Sequence, residues 1–178
     1  GRTSGTGAGA EGGWTQATGV AGGWGVVTAD AITRSSLELV ALPDDLRAEI
    51  DTLLPPRWSR NNPIDLAGGE TRDTIPQVLD LVAGHPGVDA VIYLGLGIQS
   101  NQARMMKEGR FYPDHGLERI VAYHERQDER FAEAAAALSE QYGKPILCAT
   151  ELAVADPENA GPRAVRASGR LCYASGNR

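Results

Sequence analysis

The segment Leu94–Asn101, which reads LGLGIQSN, combines residue types that suit the binding of an anion. Gly95 and Gly97 would let the backbone approach a ligand closely, because they carry no side chain. A helix that begins after Gly97 would add unpaired N–H groups and the positive end of its dipole. We therefore predict phosphate or carboxylate binding by Gly95, Gly97, Ile98, Gln99 and Ser100. The alternative is a glycine turn that only leads the strand into the helix.

Two other glycine-containing segments have a similar character. Asn61–Asp65, followed by Gly68 and Gly69, offers amide donors and acceptors and a carboxylate at a predicted strand end. The alternative for this segment is loop chemistry that closes a turn. The run Gly22-Gly23-Trp24-Gly25 precedes a predicted helix, so Gly25 is a second candidate for anion binding, against flexible entry into that helix.

Neither a catalytic residue nor a metal site is indicated by the remaining polar side chains. The three histidines, His85, His115 and His124, have no neighbouring nucleophile arranged for proton transfer. A mixed run of charges predicts a solvated helix face: Arg126, Asp128, Glu129, Arg130 and Glu133. No His or Cys stands at metal-ligand spacing, and Cys148 and Cys172 are interpreted as buried, reduced thiols in strands.

The composition argues against several classes of function. A net charge of −6 without a basic stripe disfavours a nucleic-acid module and adhesion to anionic lipid. The chain contains no apolar run long enough to span a membrane and no visible export signal. These features predict a cytoplasmic globular domain that binds small molecules.

Apolar strands alternate with amphipathic helices from residue 22 onward, which predicts a mostly parallel sheet with helices on both faces. Residues 1–21 are rich in glycine and predict a flexible N-terminal segment. Asp44 or Asp45 is expected to cap the second helix and Thr74 the third. The predicted strands cover residues 37–42, 63–66, 88–95, 145–149 and 171–173, and helices fill the intervals, including a long one that ends at Gly143. Ligands bind such sheets at the carboxyl ends of the strands, where the glycine segments lie.

Several segments together resemble the ADP-forming acetyl-CoA synthetase family. GGWGVVTADAI (Gly22–Ile32) resembles the family's GGxGVxTADA segment, and Leu53–Gly69 resembles its LPP…NPxD segment. Gly87–Asn101 is similar to its VDA strand and following glycine turn, and Leu171–Arg178 to its last strand and the start of a closing helix. The resemblance identifies residues 22–178 as a flavodoxin-like, ligase-CoA-like domain and a fragment of a larger enzyme.

The resemblance implies a nucleoside-diphosphate-forming reaction, in which acyl-CoA, ADP and phosphate give the acid, CoA and ATP through a phosphohistidine. That histidine, a CoA-binding domain and an ATP-grasp domain would lie elsewhere in the same or a partner chain. This domain would hold no cofactor, while the complete enzyme would use CoA and a magnesium nucleotide. Helix starts at Gly25 and Gly97–Ser100 would face the phosphohistidine, and the acid or phosphate would contact Asn62, Asp65, Gly68 and Gly69. The alternative is a non-catalytic acyl-CoA- or nucleotide-binding regulatory module.

Overall fold

The computed structural model describes residues 14–19, 22–66 and 73–175. Within these residues, strands and helices alternate along almost the whole chain. The strands are β1 (Trp14–Gly19), β2 (Glu38–Leu39), β3 (Ile64–Asp65), β4 (Ala90–Leu94), β5 (Ile146–Ala149) and β6 (Cys172–Tyr173). The helices are α1 (Gly22–Thr33), α2 (Asp44–Leu53), α3 (Thr74–Gly84), α4 (Ile98–Lys107), α5 (Leu117–Tyr142), α6 (Leu152–Ala155) and α7 (Ala160–Ala167).

The strands form one sheet in the order β2-β1-β4-β5-β6, and β3 pairs with the carboxyl end of β1. Every strand pairing described is parallel. Each crossover therefore carries at least one helix, as parallel connections require. The predicted α/β architecture with a parallel sheet is confirmed.

The side chains of β4 alternate between the two faces of the sheet and so belong to two apolar clusters. Val91 and Tyr93 join the larger cluster, which α2, α3, α5 and α7 cover. Ile92 and Leu94 join a smaller cluster with Ile32 of α1. Helices therefore lie on both faces, as predicted, but one face has far more helical cover than the other.

The strand β1 was not predicted from the sequence. Trp14–Gly19 was assigned to the flexible segment, yet its backbone is a strand that pairs with β2, β3 and β4. Its sequence, WTQATG, has little apolar character, so no periodicity marks it as a strand. Pairing on both sides of the strand stabilises it through hydrogen bonds that no local pattern reveals.

Helix bodies were predicted better than helix starts. Ile75, Val78, Leu79 and Val82 form the buried stripe of α3, and Gly143 ends α5 in the left-handed conformation, at φ 63°. The predicted caps are wrong, because the N-cap residues are Pro43 and Asp73 and neither makes a side-chain capping bond. The short helix α6 was not predicted. Among the described residues, no helix is long and apolar enough to cross a membrane.

Candidate functional site

The candidate segments converge at one edge of the sheet because the parallel strands end in register. Gly19 of β1 is paired with Asp65 of β3 on one side and with Leu94 of β4 on the other. Leu94 is paired in turn with Ala149 of β5. The segments that follow these strands therefore leave the sheet side by side, as expected for a ligand-binding edge.

The segment before β3 is tied to the framework by its own polar groups. The side-chain amide of Asn62 donates a hydrogen bond to the carbonyl oxygen of Val40 over 2.9 Å. The backbone N–H of Asp65 donates to the Ser59 hydroxyl over 2.9 Å. Asn62 and Asp65 are both half-buried. Gly68 and Gly69, predicted to act with them, lie outside the described residues.

Helix α1 begins beside this segment. A Cβ placed on Gly25 would lie 3.1 Å from the Cβ of Pro63, so only glycine allows this close approach without a shift. A Cβ on Gly23, by contrast, would meet nothing within 4 Å. The first turn of α1 contains no acidic residue. The structure thus brings Gly25 next to the Asn62–Asp65 segment, with the start of α1 open at Gly23.

The turn between β4 and α4 is enclosed by another helix start. Gly97 has a φ of 97°, which glycine adopts readily, and a Cβ there would lie 2.7 Å from Oδ1 of Asn159. Asn159 precedes α7 and donates from its side-chain amide to the Gly97 carbonyl oxygen over 3.0 Å. Gly161 approaches as closely, since a Cβ there would lie 2.9 Å from the Gly97 nitrogen. The start of α7 therefore packs directly on the turn.

The carboxylate of Asp128 occupies the amino end of α4. It accepts from the backbone N–H of Gly97 over 3.1 Å and from that of Ser100 over 2.6 Å. Asp128 belongs to α5 and is only 1% exposed. Its assignment to a solvated helix face is therefore wrong. The expectation of free N–H groups in the first turn of this helix is also wrong at Ser100, because its N–H group, like that of Gly97, already has an internal anion as acceptor.

Burial dominates the electrostatics of this carboxylate. Loss of water raises the pKa of Asp128 above its ordinary value. The hydrogen bonds from Ser100 and Gly97 and the nearby imidazole of His124 act in the opposite direction. His124 is half-buried, and its Nδ1 contacts Oε1 of Gln99. The contact with His124 thus restrains the Gln99 side chain. Gln99 and Ile98 both remain partly exposed at the start of the helix.

The buried position of Asp128 could have been predicted from its spacing in the helix, although the charged residues around it suggested an exposed face. Val121, Ala135 and Tyr142 lie in the sequence of this long helix and carry apolar or aromatic side chains, and they are spaced at intervals of seven or fourteen residues. Position 128 lies on the same series, so helical periodicity places it toward the core. An acid on an apolar stripe predicts a specific buried partner, because an unpaired charge is costly there.

The other candidates make only structural contacts. His85 accepts at Nδ1 from the Gly87 N–H over 3.0 Å, and His115 lies exposed in the loop before α5. Across the described ranges, no group of three or more His, Cys, Asp or Glu residues could hold a metal ion. Two surface cavities, of about 680 and 440 Å³, are lined by the first half of α5 and by the outer side of α1. Neither is lined by the strand-end residues.

The parallel sheet with helices on both faces defines an α/β domain, and the candidate segments lie at the carboxyl ends of its strands. Residues 16–100 match the Ligase-CoA domain family. The chain is 33% identical over 72 residues to 4-hydroxybutyrate–CoA ligase [ADP-forming] of Nitrosopumilus maritimus (strain SCM1), a match that covers 40% of this chain and 10% of that protein. Residues 16–100 therefore resemble a Ligase-CoA domain, and the resemblance to the ADP-forming acyl-CoA synthetases is confirmed.

Two solved structures share the fold over 94% of this chain. PH0766 from Pyrococcus horikoshii OT3 aligns with a TM-score of 0.65 at 19% identity, over 33% of its own length. The dinucleotide-forming acetyl-coenzyme A synthetase 1 of Ca. Korarchaeum cryptofilum, solved with phosphate and ADP, aligns with a TM-score of 0.61 at 22% identity, over 31% of its length. The chain thus spans about a third of these proteins and about a tenth of the curated relative.

Proposed function

We propose that the chain acts as the Ligase-CoA domain of an ADP-forming acyl-CoA synthetase, which converts acyl-CoA, ADP and phosphate to the acid, CoA and ATP. The observation that carries the proposal is the in-register row of strand ends at Asp65, Gly19 and Leu94, inside the segment that matches the family. In this role the chain binds and orients anionic groups at the edge of its sheet. It supplies no nucleophile.

The start of α1 is the better of the two proposed phosphate sites. At α4, Gly97 and Ser100 already donate to Asp128, so a phosphate there would have to compete with a buried carboxylate. The first turn of α1 has no acid in it, and the space beside Gly23 is open. Gly25 holds this helix start against the β3 segment. A phosphate would accept hydrogen bonds from the N–H groups of that turn, and the positive end of the helix dipole would favour its negative charge.

The start of α4 has a supporting role in this proposal. Ile98 and Gln99 are partly exposed and would form the wall of the site that faces the phosphoryl group. Gly95 and Gly97 allow the chain to turn sharply between β4 and the helix, at φ values of 82° and 97°. Asp128, Gly97 and Ser100 would fix the direction of the helix, so that its first turn keeps one orientation during the reaction.

The acid substrate is proposed to lie on the β3 side of the same edge. Asn62 and Asp65 are half-buried there, and Gly68 and Gly69 follow them in the sequence. The Val40 bond holds the Asn62 amide in place. An amide beside a helix start suits a carboxylate, which accepts hydrogen bonds from both.

The remaining parts of the reaction are assigned to other domains, in the same chain or in a partner. A CoA-binding domain, a phosphohistidine segment and an ATP-grasp domain would bring CoA and the magnesium nucleotide to this edge. The residues of this chain would bind, orient and exclude water. A regulatory module that binds acyl-CoA or a nucleotide without catalysis is the alternative, and it predicts tight ligand binding by the chain alone.

The phosphate assignment is tested with the substitution Gly23→Glu and its neutral control Gly23→Gln. Both side chains enter open space, and an acid in a first helical turn is favourable for the helix, so folding should be preserved. We expect inorganic phosphate to shift the amide resonances of residues 22–25 in the native chain and in Gly23→Gln. Gly23→Glu should lose these shifts, because its carboxylate repels the anion and competes for the same N–H groups.

Two results would reject this assignment. Shifts at residues 22–25 that persist in Gly23→Glu would mean that phosphate does not bind at this helix start. Shifts confined to residues 97–100 would mean that phosphate binds at the start of α4. The Gly97 and Ser100 N–H groups would then have to give up their hydrogen bonds to Asp128. The same two variants, placed in the complete synthetase, should differ in their KM for phosphate.

A further inference from the structure

The two cysteines lie side by side on neighbouring strands. Cys148 of β5 and Cys172 of β6 are register partners in a parallel pair, so their side chains project from the same face of the sheet. Both pack on the larger apolar cluster, and both are free thiols. Partners on adjacent strands are separated by about 4.8 Å, inside the Cα range of about 4.4–6.8 Å found for disulfides.

The position of β6 makes a bond between the strands mechanically feasible. β6 is the last strand of the sheet and contains only two residues, so it can adjust by small movements. One interstrand bond, from the Thr150 N–H to the Tyr173 carbonyl oxygen, measures 2.8 Å. Cys172 is half-buried, whereas Cys148 is 4% exposed. A small oxidant would therefore meet Cys172 first, with Cys148 behind it as the second thiol.

We propose that Cys148 and Cys172 are a thiol oxidation site, at which hydrogen peroxide produces an intramolecular disulfide that ties β6 to β5. The Cys172 sulfur attacks a peroxide oxygen, the O–O bond breaks, and Cys172 becomes a sulfenic acid while water leaves. The Cys148 sulfur then attacks the Cys172 sulfur, the S–O bond breaks, and a second water carries away the remaining thiol proton. Two thiols lose two electrons, and one hydrogen peroxide becomes two waters.

The environment of the thiols sets the pace of this reaction. Burial raises the pKa of Cys148 to about 12, with a further contribution from Cys172. Burial also raises the pKa of Cys172, although the Arg166 guanidinium opposes the rise. The thiolate is the reacting species, so oxidation should be slow at neutral pH and accelerate as pH rises. The site is therefore suited to sustained oxidative exposure rather than to rapid sensing.

The experiment treats the folded chain with hydrogen peroxide near neutral pH and at about pH 9, then alkylates it in denaturant. We expect a monomer that is about 2 Da lighter, resists alkylation and regains two reactive thiols with dithiothreitol. Cys148→Ala keeps an apolar side chain at the buried position and should instead retain added oxygen on Cys172. Cys172→Ser should yield no lighter product. Circular dichroism of each variant checks that the fold persists.

Three outcomes would overturn the proposal. They are the recovery of two alkylatable thiols after long exposure at the higher pH, the addition of oxygen without the lighter monomer, and the formation of disulfide-linked dimers. The oxidised monomer should also unfold at a higher temperature than the reduced one, because the bond closes the segment from 149 to 171. A lower midpoint would mean that the bond distorts the sheet, and it would exclude a strand-tying role. None of these results depends on the proposed ligase function.

Discussion

Asp128 is the residue at which charge and burial conflict most directly. A carboxylate that is 1% exposed loses nearly all of its hydration, which favours the protonated form. Two backbone N–H groups and the positive end of α4 compensate in part, because the first turn of a helix has no internal acceptors for its N–H groups. The carboxylate thus does for α4 internally what a bound anion does at an open helix start.

Removing this acceptor should destabilise the chain in two graded steps. Asp128→Ala leaves both N–H groups buried without an acceptor, at a cost of about 1–3 kcal/mol for each group. Asp128→Asn keeps one acceptor oxygen and should lose roughly half as much. Urea denaturation followed by circular dichroism measures the order of the three proteins. If Asp128→Ala were as stable as the native chain, the two bonds would have no energetic importance.

The pH dependence of this effect has a definite sign. Because the folded pKa of Asp128 is raised, the folded chain holds this proton more tightly than the unfolded chain does. The stabilising contribution is therefore fully present below the ordinary aspartate pKa and is lost as pH rises through the raised value. The native chain should lose stability relative to Asp128→Asn as pH rises from below the ordinary aspartate pKa through the raised value. Asp45 and Asp51, whose pKa values are lowered, remain in both proteins and cancel in the difference.

Sequence reasoning found the glycines of this turn but not the acid that completes it. Glycine before a helix is a local signal, and Gly95 and Gly97 do adopt positive φ. The bond from Gly97 to Asp128 joins residues far apart in the sequence. Local charge patterning considers only the sequence neighbours of Asp128, such as Glu129 and Arg130, and both of these are half-buried. Only the packing of α5 on α4 distinguishes these acids.

At the scale of elements, the contact between α7 and the β4–α4 turn constrains both. Gly161 lies in the first turn of α7, where an added Cβ would meet the Gly97 nitrogen and the Leu96 side chain at 2.9 Å. Backbone cannot move aside as a flexible side chain can. The two segments therefore fix each other's position, and the direction of α4 depends on the start of α7.

Two glycine-to-alanine substitutions should therefore have opposite effects on stability. Gly23→Ala enters open space on α1 and should stabilise the chain by up to about 1 kcal/mol through helix propensity. Gly161→Ala gains the same propensity but forces a backbone shift, and we expect a net loss of about 1–3 kcal/mol. Thermal denaturation of both variants beside the native chain provides the comparison. Equal midpoints for the two would contradict the tight contact.

The elements themselves were predictable to the extent that their patterns are local. β4 and α3 have continuous or periodic apolar sequences, and both were located within a few residues. β1 has neither, and its strand state depends on pairing with β3 and β4, which are distant in the chain. The alignment of strand ends did follow from the sequence, because parallel strands with helical crossovers must all end at one edge.

The whole molecule is asymmetric across its sheet. Among the described residues, four helices cover one face, whereas α1 contributes side chains to the smaller cluster on the other. On that second face Leu147 of β5 is 38% exposed, and Val26 on the outside of α1 is 62% exposed. Apolar side chains on several sides of α1 are typical of a helix that another part of the protein or a partner covers. This surface is consistent with a domain that docks against others, as proposed for the complete synthetase.

The last prediction concerns what this chain does alone: it should make no ATP from acetyl-CoA, ADP and phosphate. Within the described residues, His85 and His124 are engaged by neighbouring groups, and no group of three or more His, Cys, Asp or Glu residues could hold a metal ion. The chain also spans only about a third of the solved relatives.

A coupled luciferase assay measures ATP, with the complete synthetase as positive control and heat-treated chain as background. Adding separately produced CoA-binding and ATP-grasp domains should restore turnover and raise the melting temperature of this chain. Sustained ATP formation by the chain alone would show that it carries its own phosphoryl acceptor, and the division of labour proposed here would have to be abandoned.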